Sequence, residues 1–327
     1  MSPASGGRRP RVLVAAGPVG ELSPRATSVA LARGFAPGAE VAVAGLAQGG
    51  IALGRALSEP DGELEVLSTG WVASAADLLA IGCEAEPAEA DPLAVSSAGL
   101  GRLVAYAVQR CVPRRVLIDL STSNSSDAGE GMLAELANVR PDLQQAQLIG
   151  VIPPGQQQDR LLGLRGITSR LGRSRSIPAQ RMLAVDAAIE HFAESVAPDL
   201  AQAPGAGAAG GLGFAVLALG GRLATGAALC ADGVDLDGPL RVADLVVTAC
   251  DSFDFGSRGG GVVAELATRC ERFEVPLVVV SPVLGMSVRE MRVLGVESAY
   301  SVEGGAPTAD ALTATARRIA QGWTSHW

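Results

Sequence analysis

Four stretches of the chain hold the residues best suited to chemistry. The run STSNSSDAGEGML (121–133) gathers hydroxyls, amides and one carboxylate between a strand-like and a helix-like segment. Such a loop at a helix amino end holds polar or anionic ligands through backbone N–H groups, with Ser123, Asn124 and Ser125 adding side-chain contacts. Within it, Asp127 reads either as a substrate-facing or general-base carboxylate or as the N-cap of a helix beginning near Gly129. In CDSFDFGSR (250–258), Asp251 and Asp254 follow a buried-looking strand and read either as a joint magnesium site or as ordinary turn formers. Arg258 is the anion anchor of that loop, Cys250 is a small residue at the strand end, and Ser252 has no evident base beside it. In RLLGLRGITSRLGRSR (160–175), Arg165, Arg170, Arg173 and Arg175 read either as phosphate forks or as a solvated loop or subunit contact, the latter allowing a homodimer. In PGAGAAGGLG (204–213), Gly207, Gly210 and Gly211 read either as a phosphate cradle or as points of close backbone packing.

Composition removes several alternatives. All 26 Lys-plus-Arg residues are arginine, so no G-x-x-x-x-G-K-[ST] phosphate loop exists, and no G-x-G-x-x-G follows the first strand. The 5 cysteines are irregularly spaced and fit reduced thiols of the cytoplasm better than a disulfide or zinc framework. The 2 histidines cannot supply a nitrogen-rich metal site, and His191 lies in a helix where a structural role is the simpler reading. A net charge of -8 without a basic block gives nucleic acid and anionic membranes little to attract, and the apolar run after the polar start is too short for a signal peptide.

The positioning elements alternate strand and helix. Expected strands cover 11–16, 40–47, 63–68, 115–120, 147–152, 241–249, 275–280 and 298–302. Expected helices cover 24–33, with Ser23 as N-cap and Pro24 at the first position, then 74–81, 97–110, 178–196, a segment from about 287, and 307–321. The acidic GCEAEPAEADP (82–92) reads as an exposed connection, and Trp323 and Trp327 flank a tail suited to docking on the body or on a second subunit. A length of 327 residues favours two domains, and the alternation favours α/β sheets with ligands at their carboxyl edges.

Several short stretches, in order along nearly the whole chain, resemble the bacterial glycerate kinase family of the two-domain type. PGAGAAGGLG resembles a family signature, VLVAAGPVGELS sits where the family has APDSFKGSLS, and AQGG (47–50) where it has ADGGEG. DPLAVSSAGLGRLV (91–104) resembles NPLxxTSYGTGELI, STSNSSDAGEGML resembles GGSATNDGGAGML, RLLGLRG (160–166) resembles NPLLGPxG, and VADLVVTACDSFD (242–254) resembles xADLVITGEGRxD. The resemblance implies two unlike α/β domains with an active site in the cleft between them. A discontinuous Rossmann-like domain would cover 1–48 plus 232–327, and an inserted α/β domain, 49–231, would carry the STSNSSDAGEG and PGAGAAGGLG motifs. It also implies transfer of the γ-phosphoryl group of ATP to D-glycerate with magnesium.

The chain departs from that pattern at the charged positions. The first motif's aspartate and lysine fall on Ala16 and Val19, the second motif's aspartate and glutamate on Gln48 and Ile51. The acidic position of the CDxxNP motif falls on Gln156, the TGEG glutamate on Cys250, and the following lysine on Gly260 or Gly261. Alanine and valine neither hold a metal nor move a proton. Two expectations follow: a family-fold protein without the standard kinase chemistry, binding a small metabolite or a protein partner in regulation or assembly, or an active ATP- and magnesium-dependent glycerate kinase with altered residues.

Overall fold

The computed structural model describes residues 8–59, 61–83, 91–111 and 113–324; most of the acidic connection and Trp327 lie outside them. The chain divides into two compact units, Met1–Gln48 with Ala227–Trp327, and Gly49–Gly226.

The first unit opens with β1 (Arg11–Ala16), α1 (Pro24–Phe35) and β2 (Glu40–Gly45). Ser23 caps α1 by accepting from the Ala26 N–H at 3.2 Å, and Pro24 stands where a missing amide costs nothing. Buried Ser28 on α1 accepts from the Ala16 N–H at 3.0 Å and donates to the Ala44 carbonyl at 2.7 Å, which fixes the carboxyl ends of β1 and β2 together.

The second unit runs through α2 (Gly50–Ser58), β3 (Glu63–Leu67), β4 (Gly70–Ala75), β5 (Leu78–Cys83), α3 (Ala98–Arg110), β6 (Arg115–Asp119), α4 (Glu130–Glu135), α5 (Arg140–Gln145), β7 (Gln147–Val151), α6 (Ile167–Arg175), α7 (Ala179–Val196), α8 (Leu212–Ala218) and β8 (Arg222–Ala224). Its six-stranded sheet has the order β3-β4-β5-β6-β7-β8, antiparallel up to β5 and parallel from there to β8. The helix expected over 74–81 is absent: the segment is the turn of a β4–β5 hairpin, with Ala76 at φ 47°. ADLLA has helical propensity, but Trp71 on β4 is 1% exposed with its ring against Gly54 and Gly82, and burying that indole requires two paired strands. The arginine-rich run, expected as a loop or contact surface, contains α6. Its Ile167 packs with Leu161, Ile189, Ala206 and Phe214, and Phe192 meets Phe214 edge-on at 6.1 Å.

The chain then returns to the first unit through α9 (Gly226–Gly233), α10 (Asp237–Leu240), β9 (Leu245–Ala249), β10 (Ser252–Asp254), α11 (Gly260–Phe273), β11 (Leu277–Ser281), β12 (Val283–Gly285), α12 (Val288–Val293), β13 (Ser298–Ser301) and α13 (Ala309–Thr324). A five-stranded parallel sheet has the order β13-β11-β9-β1-β2, and a two-stranded parallel sheet pairs β10 with β12. The strand expected over 241–249 is confined to Leu245–Ala249, because Pro239 and the helical turn of α10 occupy the approach. Within the described residues no helix is long and apolar enough to cross a membrane.

Candidate functional site

In the second unit, the loops leaving the carboxyl ends of β6 and β7 frame a cavity of about 340 Å³. Parallel α/β sheets gather ligands at this edge because every crossover leaves its strand there. Ser121, Ser123, Asn124 and Ser125 contribute from the β6 loop, Pro153 and Gln156 from the β7 loop, Arg170, Leu171 and Arg175 from α6, and Ala209 and Gly210 from the glycine-rich loop. The lining carries two guanidinium groups and, among the described residues, no carboxylate. An anion fits that balance.

Each wall is held by specific bonds. Arg170 reaches the Gly207 carbonyl at 3.3 Å and forms an ion pair with Asp159, and burial lowers its pKa from the usual guanidinium value. Arg175, at the end of α6, is exposed. Gln156 accepts from the Ala209 N–H at 2.9 Å, which leaves its carboxamide N–H groups as donors. Asp91 forms an ion pair with Arg181 of α7, joining the segment before α3 to the helix after α6.

The glycine-rich loop works by close approach. A Cβ on Gly210 would lie 1.6 Å from the Ser125 carbonyl oxygen, and its φ of +65° is one that side chains disfavour. The loop thus packs on the hydroxyl-bearing loop, and the Gly210 carbonyl accepts from the Ala128 N–H at 3.3 Å. Gly207 binds the Asp159 carbonyl through its N–H at 3.1 Å, and Gly211 caps α8 at φ 93°. Of these three glycines, Gly210 alone is among the residues lining the cavity.

Asp127 lies beside this loop with its carboxylate already engaged. One oxygen accepts from the Ser97 N–H at 2.7 Å, the Ser97 hydroxyl at 3.0 Å and the Gly131 N–H at 3.2 Å; the other accepts from the Gly129 N–H at 3.0 Å. These bonds tie the start of α3 to the start of α4. Asp127 is not among the cavity-lining residues.

The candidates of the first unit take separate partners. Asp251 accepts from the Gly20 N–H at 2.7 Å. Asp254 accepts from the Ser252 hydroxyl at 2.6 Å and from the Gly256 and Ser257 N–H groups at 2.9 and 2.8 Å; the Ser252 bond is the main reason its pKa is held below the usual carboxylate value. Asp254 is thus the acceptor of its own turn, whereas Asp251 reaches the loop after β1. Among the described residues no group of three or more His, Cys, Asp or Glu side chains is placed to hold a metal ion. Arg258 is exposed, with its guanidinium 5.8 Å from the Phe255 ring centroid. Burial pushes the Cys250 thiol up to about 12, which disfavours the thiolate near neutral pH.

A family model described as the glycerate kinase family matches residues 138–325. The chain belongs to the glycerate kinase family. Relatives include a glycerate kinase of Bacillus cereus, 25% identical over 71% of this chain and 71% of that protein, and the glycerate 2-kinase of Escherichia coli K12, 25% identical over 68% and 66%. A protein of Mycobacterium tuberculosis without an assigned function is 29% identical over 66% of this chain, and the chain spans 58% of that relative's length. The crystal structure of a Salmonella typhimurium LT2 protein assigned as glycerate kinase 2 superposes with a TM-score of 0.77 at 21% identity, covering 98% of this chain and 99% of that one, and so shares the fold.

Within this family fold, the motif departures have identifiable physical settings. Ala16 and Val19 are fully buried in the core of the first unit, where a charge would be costly. Gln48 uses its carboxamide oxygen to accept from the Gly261 N–H at 2.6 Å, capping α11. The sequence reading missed Asp119, the fully buried carboxylate at the end of β6, and the membership of Ser121 in the cavity wall. The D-x-S spacing at the strand end was the available signal, since a side chain two residues from an aspartate commonly completes a local turn.

Proposed function

We propose that this glycerate kinase family member binds a small anionic metabolite in the cavity of its second unit, and that the magnesium-dependent phosphoryl transfer to D-glycerate implied by the family pattern is not its activity. The reading rests chiefly on one observation: the cavity is lined by Arg170 and Arg175 with hydroxyls and carboxamides, while Asp127, Asp251 and Asp254 lie outside that lining and accept hydrogen bonds from Ser97, Gly20 and Ser257 respectively. Arginine with hydroxyl and carboxamide donors recognises a carboxylate or phosphate group through directional, charge-assisted bonds. Neither phosphate transfer nor proton abstraction follows from that set, because among the described residues no carboxylate lines it. A regulatory or assembly role coupled to the bound metabolite is the consequence.

Calorimetric titration with D-glycerate and with MgATP, separately and together, tests the proposal. Binding of the acid, unchanged by MgATP, is the expected result. MgATP binding that tightens in the presence of D-glycerate overturns it.

A further inference from the structure

Asp119 is 0% exposed, carries no cationic partner among the described residues and has no place in the anion contacts just described. One of its oxygens accepts from the Ser121 N–H at 2.9 Å and from the Ser121 hydroxyl at 2.6 Å; the other accepts from the Gly50 N–H at 2.6 Å. The Gly50 amide is a first-turn donor of α2, which has no side-chain cap of its own, so one carboxylate closes both the helix start and the loop after β6. Gly49 makes the arrangement sterically feasible: a Cβ there would lie 1.7 Å from the Ser121 hydroxyl oxygen. The two glycines of AQGG thus serve this contact.

The bond to Asp119 commits the only proton of the Ser121 hydroxyl. Ser121 is one of the residues lining the cavity, and with its proton committed its hydroxyl oxygen retains lone pairs and accepts only. A ligand held by the arginines through its anionic group satisfies the oxygen when it also carries a hydroxyl donor, and leaves it unpaired when it does not. We propose that Asp119 and Ser121 form a specificity pair, Asp119 positioning the Ser121 hydroxyl as a fixed acceptor that selects hydroxyl-bearing acids over the same acids without the hydroxyl. The inference rests on the cavity being the ligand site.

The test compares D-glycerate with propanoate by calorimetry on the full chain. Wild-type protein is expected to bind D-glycerate at least about tenfold tighter than propanoate, the discrimination that one unpaired buried acceptor produces. Ser121→Ala, which leaves the Asp119 carboxylate in place, is expected to bring that ratio down to about 2 while propanoate affinity stays within about twofold of wild type. Asp119→Asn presents an N–H to either Gly50 or Ser121 and is expected to lower the ratio as well, with Ser121→Ala deciding the matter should Asp119→Asn fail to fold. Equal binding of both acids by wild type, or an unchanged ratio in Ser121→Ala, overturns the specificity pair alone. No binding of either acid overturns the cavity reading and the pair with it.

Discussion

After β6, the Ser121 hydroxyl donates to Asp119 at 2.6 Å; after β9, the Ser252 hydroxyl donates to Asp254 at the same 2.6 Å. In both pairs the residues stand two apart, Asp119 and Ser121 at the end of β6, Ser252 and Asp254 on the short strand β10 between β9 and α11. Asp119 is sealed inside its unit, and burial raises its pKa above the usual carboxylate value; Asp254 is only half-buried, and its hydroxyl and amide donors lower its own. The first loop opens on a cavity with two arginines, whereas the acceptors of the second are taken up by Ser257 and its neighbours. The same local bond therefore stands beside a cavity in one place and closes a self-contained turn in the other, and the two differ in burial.

The largest effect tests what holds the first loop open. Gly210→Ala meets a carbonyl oxygen at 1.6 Å in a left-handed conformation, and is expected to cost roughly 3 kcal/mol or more and to lower Tm by several degrees in a thermal melt. A melt within a degree of wild type breaks the account of close packing. Arg175→Ala comes next, expected to weaken binding of a small acid about tenfold by titration while leaving Tm nearly unchanged, since its guanidinium is exposed. Arg258→Ala, in the other loop, is expected to leave that affinity alone.

The two carboxylates should separate by pH. A raised Asp119 pKa means that the folded chain keeps a proton the unfolded chain has lost, so stability is full below the ordinary carboxyl value of about 3.9 and falls as pH rises through the folded pKa. Asp119→Asn is expected to remove that slope in urea unfolding measured across acidic to neutral pH. The depressed Asp254 pKa has the opposite sign: its contribution is present above the ordinary value and lost as pH falls through the folded one. Asp254→Ala is expected to flatten only the acid limb, and by the smallest amount of the series because the group is only half-buried and solvent screens it. The same variant is expected to leave any magnesium response of the melt unchanged.

The sequence carried the α/β class and most strand positions, because buried parallel strands such as LVVTA and LVVVS read as unbroken apolar runs. It also carried Ser23 as a cap, a purely local device. The β4–β5 hairpin was hidden because its cause is Trp71 lying against Gly54 and Gly82, residues distant in sequence. At the site, Ser123, Asn124, Ser125 and Gly210 were legible from residue type and do line one cavity. Asp127 looked chemically free since sequence does not show that Ser97, thirty residues earlier, donates to it twice. Asp119 was missed for the converse reason: at the end of an apolar strand it read as a strand residue.

The central claim is that this member of the glycerate kinase family holds a small acid without phosphorylating it. The most direct measurement is ADP release by the purified chain supplied with MgATP and D-glycerate, followed alongside calorimetric binding of D-glycerate to the same sample. The account predicts binding with no glycerate-dependent ADP release above the ATP-only control. Glycerate-dependent ADP formation that rises in proportion to protein concentration would contradict it.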